Sequence, residues 1–146
     1  MPYIKMPSKD TTVWSVIKNV KLPDETPMLD QIRSRVIECI LLRIPLPPFY
    51  ARRMSQSEPM VMLMGTERLC AVKDFVAGEY PLTGLKLLTT LEGQKWKELP
   101  KHIQTRIKNT KAVCHIIEPE TEDEETNFII SSLKVMSKLD RNELES

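Results

Sequence analysis

The chain reads as an α+β domain, and three observations carry that reading. Apolar residues recur at helical spacing in several stretches, most clearly at Leu29, Ile32, Val36 and Ile40. Apolar runs of strand length, Met60 to Met64 and Ala112 to Ile117, stand between such stretches. The resulting order is helix, strand, strand, helix, loop, helix, strand, helix, which is not the regular alternation of a doubly wound sheet.

Taken in order, residues 1–25 are polar and weakly periodic and read as an arm or a short first helix. Their apolar patch is Val13, Trp14, Val16 and Ile17, with Trp14 expected to anchor in the core. Thr26-Pro27 has the form of an N-cap followed by proline at the first helical position, which predicts a helix from Pro27 to Leu42. Asp30, Arg33 and Glu38 fall on its polar face. Pro45, Pro47 and Pro48 forbid helix, so Ile44 to Leu46 is expected as an edge strand, leading to an exposed segment over Arg52 to Pro59. Met60 to Met64 should be a strand buried on both faces, ended by Gly65.

Thr66 to Val76 is expected as a helix, with Leu69, Val72 and Val76 inward and Gly78 as its C-terminal cap. Leu82 to Leu91 should hold a short strand or turn. Pro100 opens a helix with Ile103 and Ile107 inside, and Ala112 to Ile117 is the next strand. Thr121-x-x-Glu124 matches a capping box ahead of Phe128, Ile129, Leu133 and Met136 at helical spacing. The domain is thus expected over residues 26–138, with 139–146 as a C-terminal tail.

A length of 146 residues fits one domain with a real core. The apolar runs are too short to span a bilayer and the N-terminus lacks a secretory pattern, so a cytoplasmic setting is expected, without membrane contact. Cys39, Cys70 and Cys114 are odd in number and far apart, and His102 and His115 are not at ligand spacing. Buried reduced thiols are expected, without zinc, other metal or a disulfide framework. Residues 1–116 hold 18 Lys/Arg against 11 Asp/Glu, a net of +7; residues 117–146 hold 3 against 9, a net of −6. A basic body of this kind is compatible with a polyanion partner, and a mixed solvated surface gives the same totals. Arg43, Arg52 and Arg53 are the candidate nucleic-acid contacts.

The candidate for chemistry is Met64-Gly65-Thr66-Glu67-Arg68-Leu69, placed where a strand turns into a helix. Such a turn offers free backbone N–H groups and the positive end of a helix dipole. Gly65 permits a tight turn and close approach, and Arg68 adds a charge for a phosphate. An ordinary turn with a surface arginine would carry the same residues.

The segment from Arg35 to Tyr50, with its Ile44-Pro45-Leu46-Pro47-Pro48 run, resembles the helix and proline-rich strand of the N-terminal domain of GmrSD-type restriction endonucleases. In that family an Asp-Gly-Gln-Gln-Arg-Leu loop follows, and Met64 to Leu69 stands in its place. Phe75 to Leu85, Leu91 to Pro100 and Ile116 to Pro119 resemble later family segments in unbroken order. The family is similar in turn to the ParB and sulfiredoxin group, whose Gly-x-x-Arg loop contacts nucleotide phosphates. The resemblance therefore implies a ParB/sulfiredoxin-like mixed sheet with packed helices, and a phosphate or nucleotide site at Gly65, Thr66, Glu67 and Arg68.

Departures from the family pattern shape the functional expectation. Met64 replaces the loop aspartate, Thr66 and Glu67 replace its glutamines, and Thr66 stands where sulfiredoxins need their cysteine. Ser131 to Ser137 lacks the arginine, asparagine and glycines of the second signature. A thioether orients neither a metal nor an attacking water. The expected function is therefore a catalytically degenerate binding or assembly module, with no catalytic residue and no obligatory cofactor beyond a possible nucleotide. Its partner would be a protein or larger assembly, such as a virus or phage particle built in the cytoplasm, or else DNA or a phosphate ligand. The alternative is a minimal nucleotide-dependent hydrolase or nuclease with Glu67 as its acid. That enzyme needs a second converging group, and Glu38, Asp74 and Glu118 are each expected as solvated surface residues.

Overall fold

The computed structural model describes residues 6–140. Among the described residues a mixed sheet of five strands is present. They are β1 (Ser8–Thr12), β2 (Val20–Lys21), β3 (Phe49–Arg52), β4 (Met60–Met64) and β5 (Lys111–Ile117), in the spatial order β1-β5-β3-β4-β2. The β1/β5 and β3/β4 pairs are antiparallel, and the β3/β5 and β2/β4 pairs are parallel. Helices α1 (Val13–Asn19), α2 (Asp30–Leu41), α3 (Thr66–Val76) and α4 (Lys101–Lys108) pack on one another, and α5 (Asp123–Asp140) follows β5. The architecture is α+β.

Register explains which strand residues enter the core. Phe49 pairs with Cys114 and Ala51 with Ile116, so these four share one face and all are buried. Tyr50 pairs with His115 on the other face, where the two rings stack at 4.9 Å. Ile37, Ile40, Leu69, Phe75, Leu82 and Ile107 complete the helix side of the core. The Tyr80 hydroxyl, buried among them, donates to the Ala71 carbonyl at 2.7 Å.

Residues 8–21 do more than form the arm or short first helix expected of this stretch. Their helix, α1, is flanked by β1 and β2, which pair with β5 and β4, so this stretch is built into the sheet. The Thr12 hydroxyl accepts from the Ser15 amide at 3.2 Å and starts α1 where β1 stops. Trp14 packs against the core as expected, with the Lys108 ammonium 4.5 Å from its ring centroid. Residues 1–5 and 141–146, the ends of the arm and of the C-terminal tail, lie outside the described residues.

Several expected boundaries shift, each for a local reason. The α2 helix begins at Asp30 rather than Pro27, because the Leu29 carbonyl is the first to accept helical bonds, from Ile32 and Arg33. Thr26 does not cap it; its hydroxyl is buried without a partner. The helix buries Ser34, Ile37, Glu38, Ile40 and Leu41, so Ile40 is core while Ile32 is 53% exposed. The predicted stripe was therefore rotated, and Glu38 belongs to the inner face.

The strand expected over Ile44 to Leu46 lies instead at Phe49–Arg52; residues 44–48 form a strap without ladder bonds, as three prolines dictate. Strand β4 is half-buried rather than buried on both faces, because its outer neighbour β2 is only two residues long. Gly78, with φ 80°, ends α3 as expected: its amide bonds to the Phe75 carbonyl, and the Glu79 amide reaches the Asp74 carbonyl. The capping contact of α5 falls one residue late, with the Glu125 carboxylate accepting from the Glu122 amide at 3.1 Å.

Candidate functional site

The turn singled out by the sequence forms as predicted between β4 and α3. Gly65 is the N-cap of α3 and adopts φ 100°, a left-handed conformation that L side chains rarely take. The close approach it permits is made by the protein itself. A Cβ at Gly65 would lie 2.4 Å from Cδ1 of Phe49 and 2.9 Å from a terminal nitrogen of Arg68.

Arg68 folds back over this turn. Its guanidinium donates to the Pro47 carbonyl at 2.5 Å and to the Pro48 carbonyl at 3.3 Å, and it lies 4.2 Å from the Phe49 ring centroid. Burial lowers its pKa, opposed by the neighbouring Glu67 carboxylate. Arg68 thus ties the proline strap to α3. Thr66 opens the helix and Glu67 is exposed on its first turn. The four residues expected to cradle a phosphate are together, but the space before them holds Phe49 and the strap.

Two of the acids considered as partners for Glu67, Glu38 and Asp74, are committed elsewhere. Glu38 is 2% exposed, not solvated; its carboxylate accepts from the amides of Lys86, Leu87 and Leu88 at 2.8–3.1 Å. Burial alone would raise its pKa, yet these three donors, aided by Arg35, hold it below the usual carboxylate value. Asp74 is 4% exposed and pairs with Arg33 at 3.3 Å, again contrary to the expectation of a surface residue. Arg33 also bonds Asp30 at 2.5 Å and covers the Tyr80 ring at 4.2 Å. Glu118 is half-buried just beyond β5.

The arginines expected at a nucleic-acid contact separate into three environments. Arg52 is anchored to the start of α5: it donates to the Thr126 hydroxyl and to the Thr121 carbonyl, the latter at 2.8 Å. Arg43 follows Leu42, the C-cap of α2, with φ 62°, and lines a cleft of about 440 Å³ with Arg106 and Lys111. In that cleft Arg106 donates to the Leu41 carbonyl at 3.4 Å, at the negative end of α2.

Arg53 lines a different groove, of about 490 Å³, between α1 and the 53–59 loop. Its amide bonds to the Ile117 carbonyl at 3.0 Å, which fixes the backbone from which its side chain extends. Lys9 of β1 and Lys18 of α1 reach the same groove. Thr11, Ser15 and Asn19 add hydrogen-bonding groups, Cys114 and Ile116 contribute to the lining, and Glu58 is the one acid that lines it among the described residues. Among the described residues, Lys9, Lys18 and Arg53 form no ion pair. Three cations from three segments therefore face one polar cavity.

Sequence reasoning had one of the three cations. Lys9 and Lys18 lie in the stretch expected as an arm or a short first helix. Their one local signal is the Thr12-x-x-Ser15 cap, which starts a helix at Val13; Ser8 to Thr12 is wholly polar and carries no strand period. The cysteines are free, with Cys70 and Cys114 buried and Cys39 half-buried. Burial raises the Cys114 pKa, making it a poor nucleophile. No helix among the described residues is long and apolar enough to cross a membrane.

No protein-family model matches the chain, and no curated protein or solved structure matches it either.

Proposed function

We propose that the chain is a non-catalytic binding module of the GmrSD- and ParB-like kind, which holds a phosphate-bearing polymer, nucleic acid first, in the groove of Lys9, Lys18 and Arg53. The observation that carries this reading is the convergence of those three cations, outside any ion pair among the described residues, on one cavity rich in hydroxyl and amide groups. Closely spaced cations raise the local concentration of anions and hold phosphates with little geometric demand. The turn favours binding over catalysis. Arg68 is engaged by two carbonyls and a ring, and Glu38 and Asp74 face structural partners. The resemblance of Arg35 to Tyr50 to the restriction family supports the family reading, and the altered loop supports its non-catalytic form.

The test is titration of a short labelled DNA duplex by fluorescence anisotropy across a salt series. Three phosphate contacts predict a slope of log K against log salt of about −2.7, and each of Lys9→Ala, Lys18→Ala and Arg53→Ala should reduce it by about 0.9. Arg68→Ala should leave the slope unchanged. Absence of binding at low salt, or binding indifferent to all three groove substitutions, would refute the proposal. The same protein should show no nucleoside triphosphate turnover with divalent metal. Turnover abolished by Glu67→Gln would establish the minimal hydrolase instead.

A further inference from the structure

Arg43 occupies a position that favours glycine. Its amide donates to the Ile40 carbonyl at 3.1 Å, and the Ile44 amide reaches back to the Cys39 carbonyl at 3.0 Å. These two bonds close α2 with a Schellman turn, whose left-handed residue is usually glycine. Here that residue, at φ 62°, is an arginine. The turn therefore holds a charged side chain at a conformational cost that glycine would not incur.

Arg43 shares its cleft of about 440 Å³ with Arg106 and Lys111. Among the described residues none of the three forms an ion pair, and no acid lines the cleft. Arg106 gives one N–H to the Leu41 carbonyl and keeps the rest of its fork. The C-terminal ends of α2 and α4 oppose an anion here, but each counts for only about half a charge against three full ones. The remaining wall is apolar, formed by Ile40, Ile44, Pro45 and Leu46, with Ile44 49% exposed. Pro45 fixes its own φ and Pro47 keeps Leu46 extended, so this wall is rigid before any ligand arrives. The groove of Lys9, Lys18 and Arg53 differs in its polar lining and in holding Glu58. Unopposed cations beside a rigid apolar wall, in a volume typical of small-molecule sites, select a compact anion with an apolar body.

We propose that this cleft binds a small organic acid with a hydrocarbon body. Its anionic group is held by Arg43, Arg106 and Lys111, and its hydrocarbon part lies against Ile44, Pro45 and Leu46. The site does not rest on the groove, and either reading can fail alone.

Titration of the whole chain with sodium octanoate, followed by backbone amide NMR shifts, tests it. Saturable shifts are expected at Ile44, Leu46, Thr110 and Lys111, and none at Asn19 or Ser57 in the groove. Acetate has the charge without the body, and 1-octanol the body without the charge; each should bind at least about tenfold more weakly. Arg43→Gly should weaken octanoate by about tenfold while raising the urea midpoint, so lost binding there is not lost folding. Lys111→Gln, at an exposed position, should weaken it severalfold with the unfolding midpoint unchanged. The proposal is overturned by the lack of any saturable shift at millimolar octanoate, or by shifts confined to the groove. Octanoate binding no more tightly than acetate, or equally well to Arg43→Gly and Lys111→Gln, overturns it too.

Discussion

Glu38→Ala removes, in one substitution, the acceptor for three backbone amides. In the native protein the Glu38 carboxylate takes the N–H groups of Lys86, Leu87 and Leu88 at 2.8–3.1 Å, holding the 86–88 loop onto α2. Hydrogen bonds to a charged acceptor contribute about 1.5–3 kcal/mol each, but Lys86 and Leu87 are exposed and their amides regain water when the carboxylate is lost. A net of about 1 kcal/mol per bond gives a loss of about 3 kcal/mol. In a domain of this size that lowers the unfolding midpoint by roughly 6–12 °C. Glu38→Gln keeps one acceptor oxygen while turning amide donors toward the loop, and it should fall between the two.

Urea unfolding followed by the fluorescence of Trp14 and Trp96 measures these differences directly. The pH dependence supplies a second criterion. The folded pKa of Glu38 lies below its unfolded value of about 4.3, so its contribution is fully present above that pH and is lost as pH falls through the folded pKa. The gap between wild type and Glu38→Ala should therefore narrow in acid. A Glu38→Ala protein within about 0.5 kcal/mol of wild type at neutral pH would refute the reasoning. A gap that stays constant into strong acid would show that the ionised carboxylate is not its source.

Two further substitutions probe the backbone. Gly65→Ala should lose about 2–4 kcal/mol by the same titration, since it combines a left-handed φ with a Cβ 2.4 Å from the buried Phe49 ring. Arg43→Gly should gain about 0.5–1 kcal/mol in urea, because Arg43 occupies φ 62° at the end of α2, where glycine has no Cβ to strain.

How much of the protein was legible in its sequence depended on whether a residue's role was set by near neighbours. Met60 to Met64 and Thr66 to Val76 were readable to the residue, because an apolar run, a glycine and a helical stripe follow one another without ambiguity. β2 was not readable. Two residues carry no period, and Val20–Lys21 becomes a strand only because Met60 and Val61 lie beside it. Glu38 misled for a similar reason. Its donors come from amides 48 to 50 residues away, and local pattern gives a carboxylate in an apolar stretch no interior partner. The Gly65 turn was located correctly while its occupant was not, since the approach of Phe49 depends on how β3 pairs with β4. At the groove, Arg53 was singled out from charge alone; Lys9 and Lys18 join it only through the pairing of β1 with β5 and the placement of α1.

A strand–helix turn with glycine and arginine offers the same donors to a phosphate or to a peptide carbonyl, and the chain laid over it decides which arrives. Here that chain is the strap of residues 44–48. Pro47 and Pro48 have carbonyls but no N–H, so they bring acceptors to Arg68 without adding a backbone donor of their own. A phosphate that captured Arg68 would have to replace both carbonyl bonds and the contact with the Phe49 ring. Those interactions together amount to about 2–4 kcal/mol, which weakens apparent affinity by roughly 30- to 1,000-fold. The cations of the groove form no ion pair among the described residues, so the same ligand meets no such competition there. Between two sites of similar charge, the one whose donors are already engaged loses the ligand. On that ground the anionic polymer proposed as partner is expected at Lys9, Lys18 and Arg53 rather than at the turn.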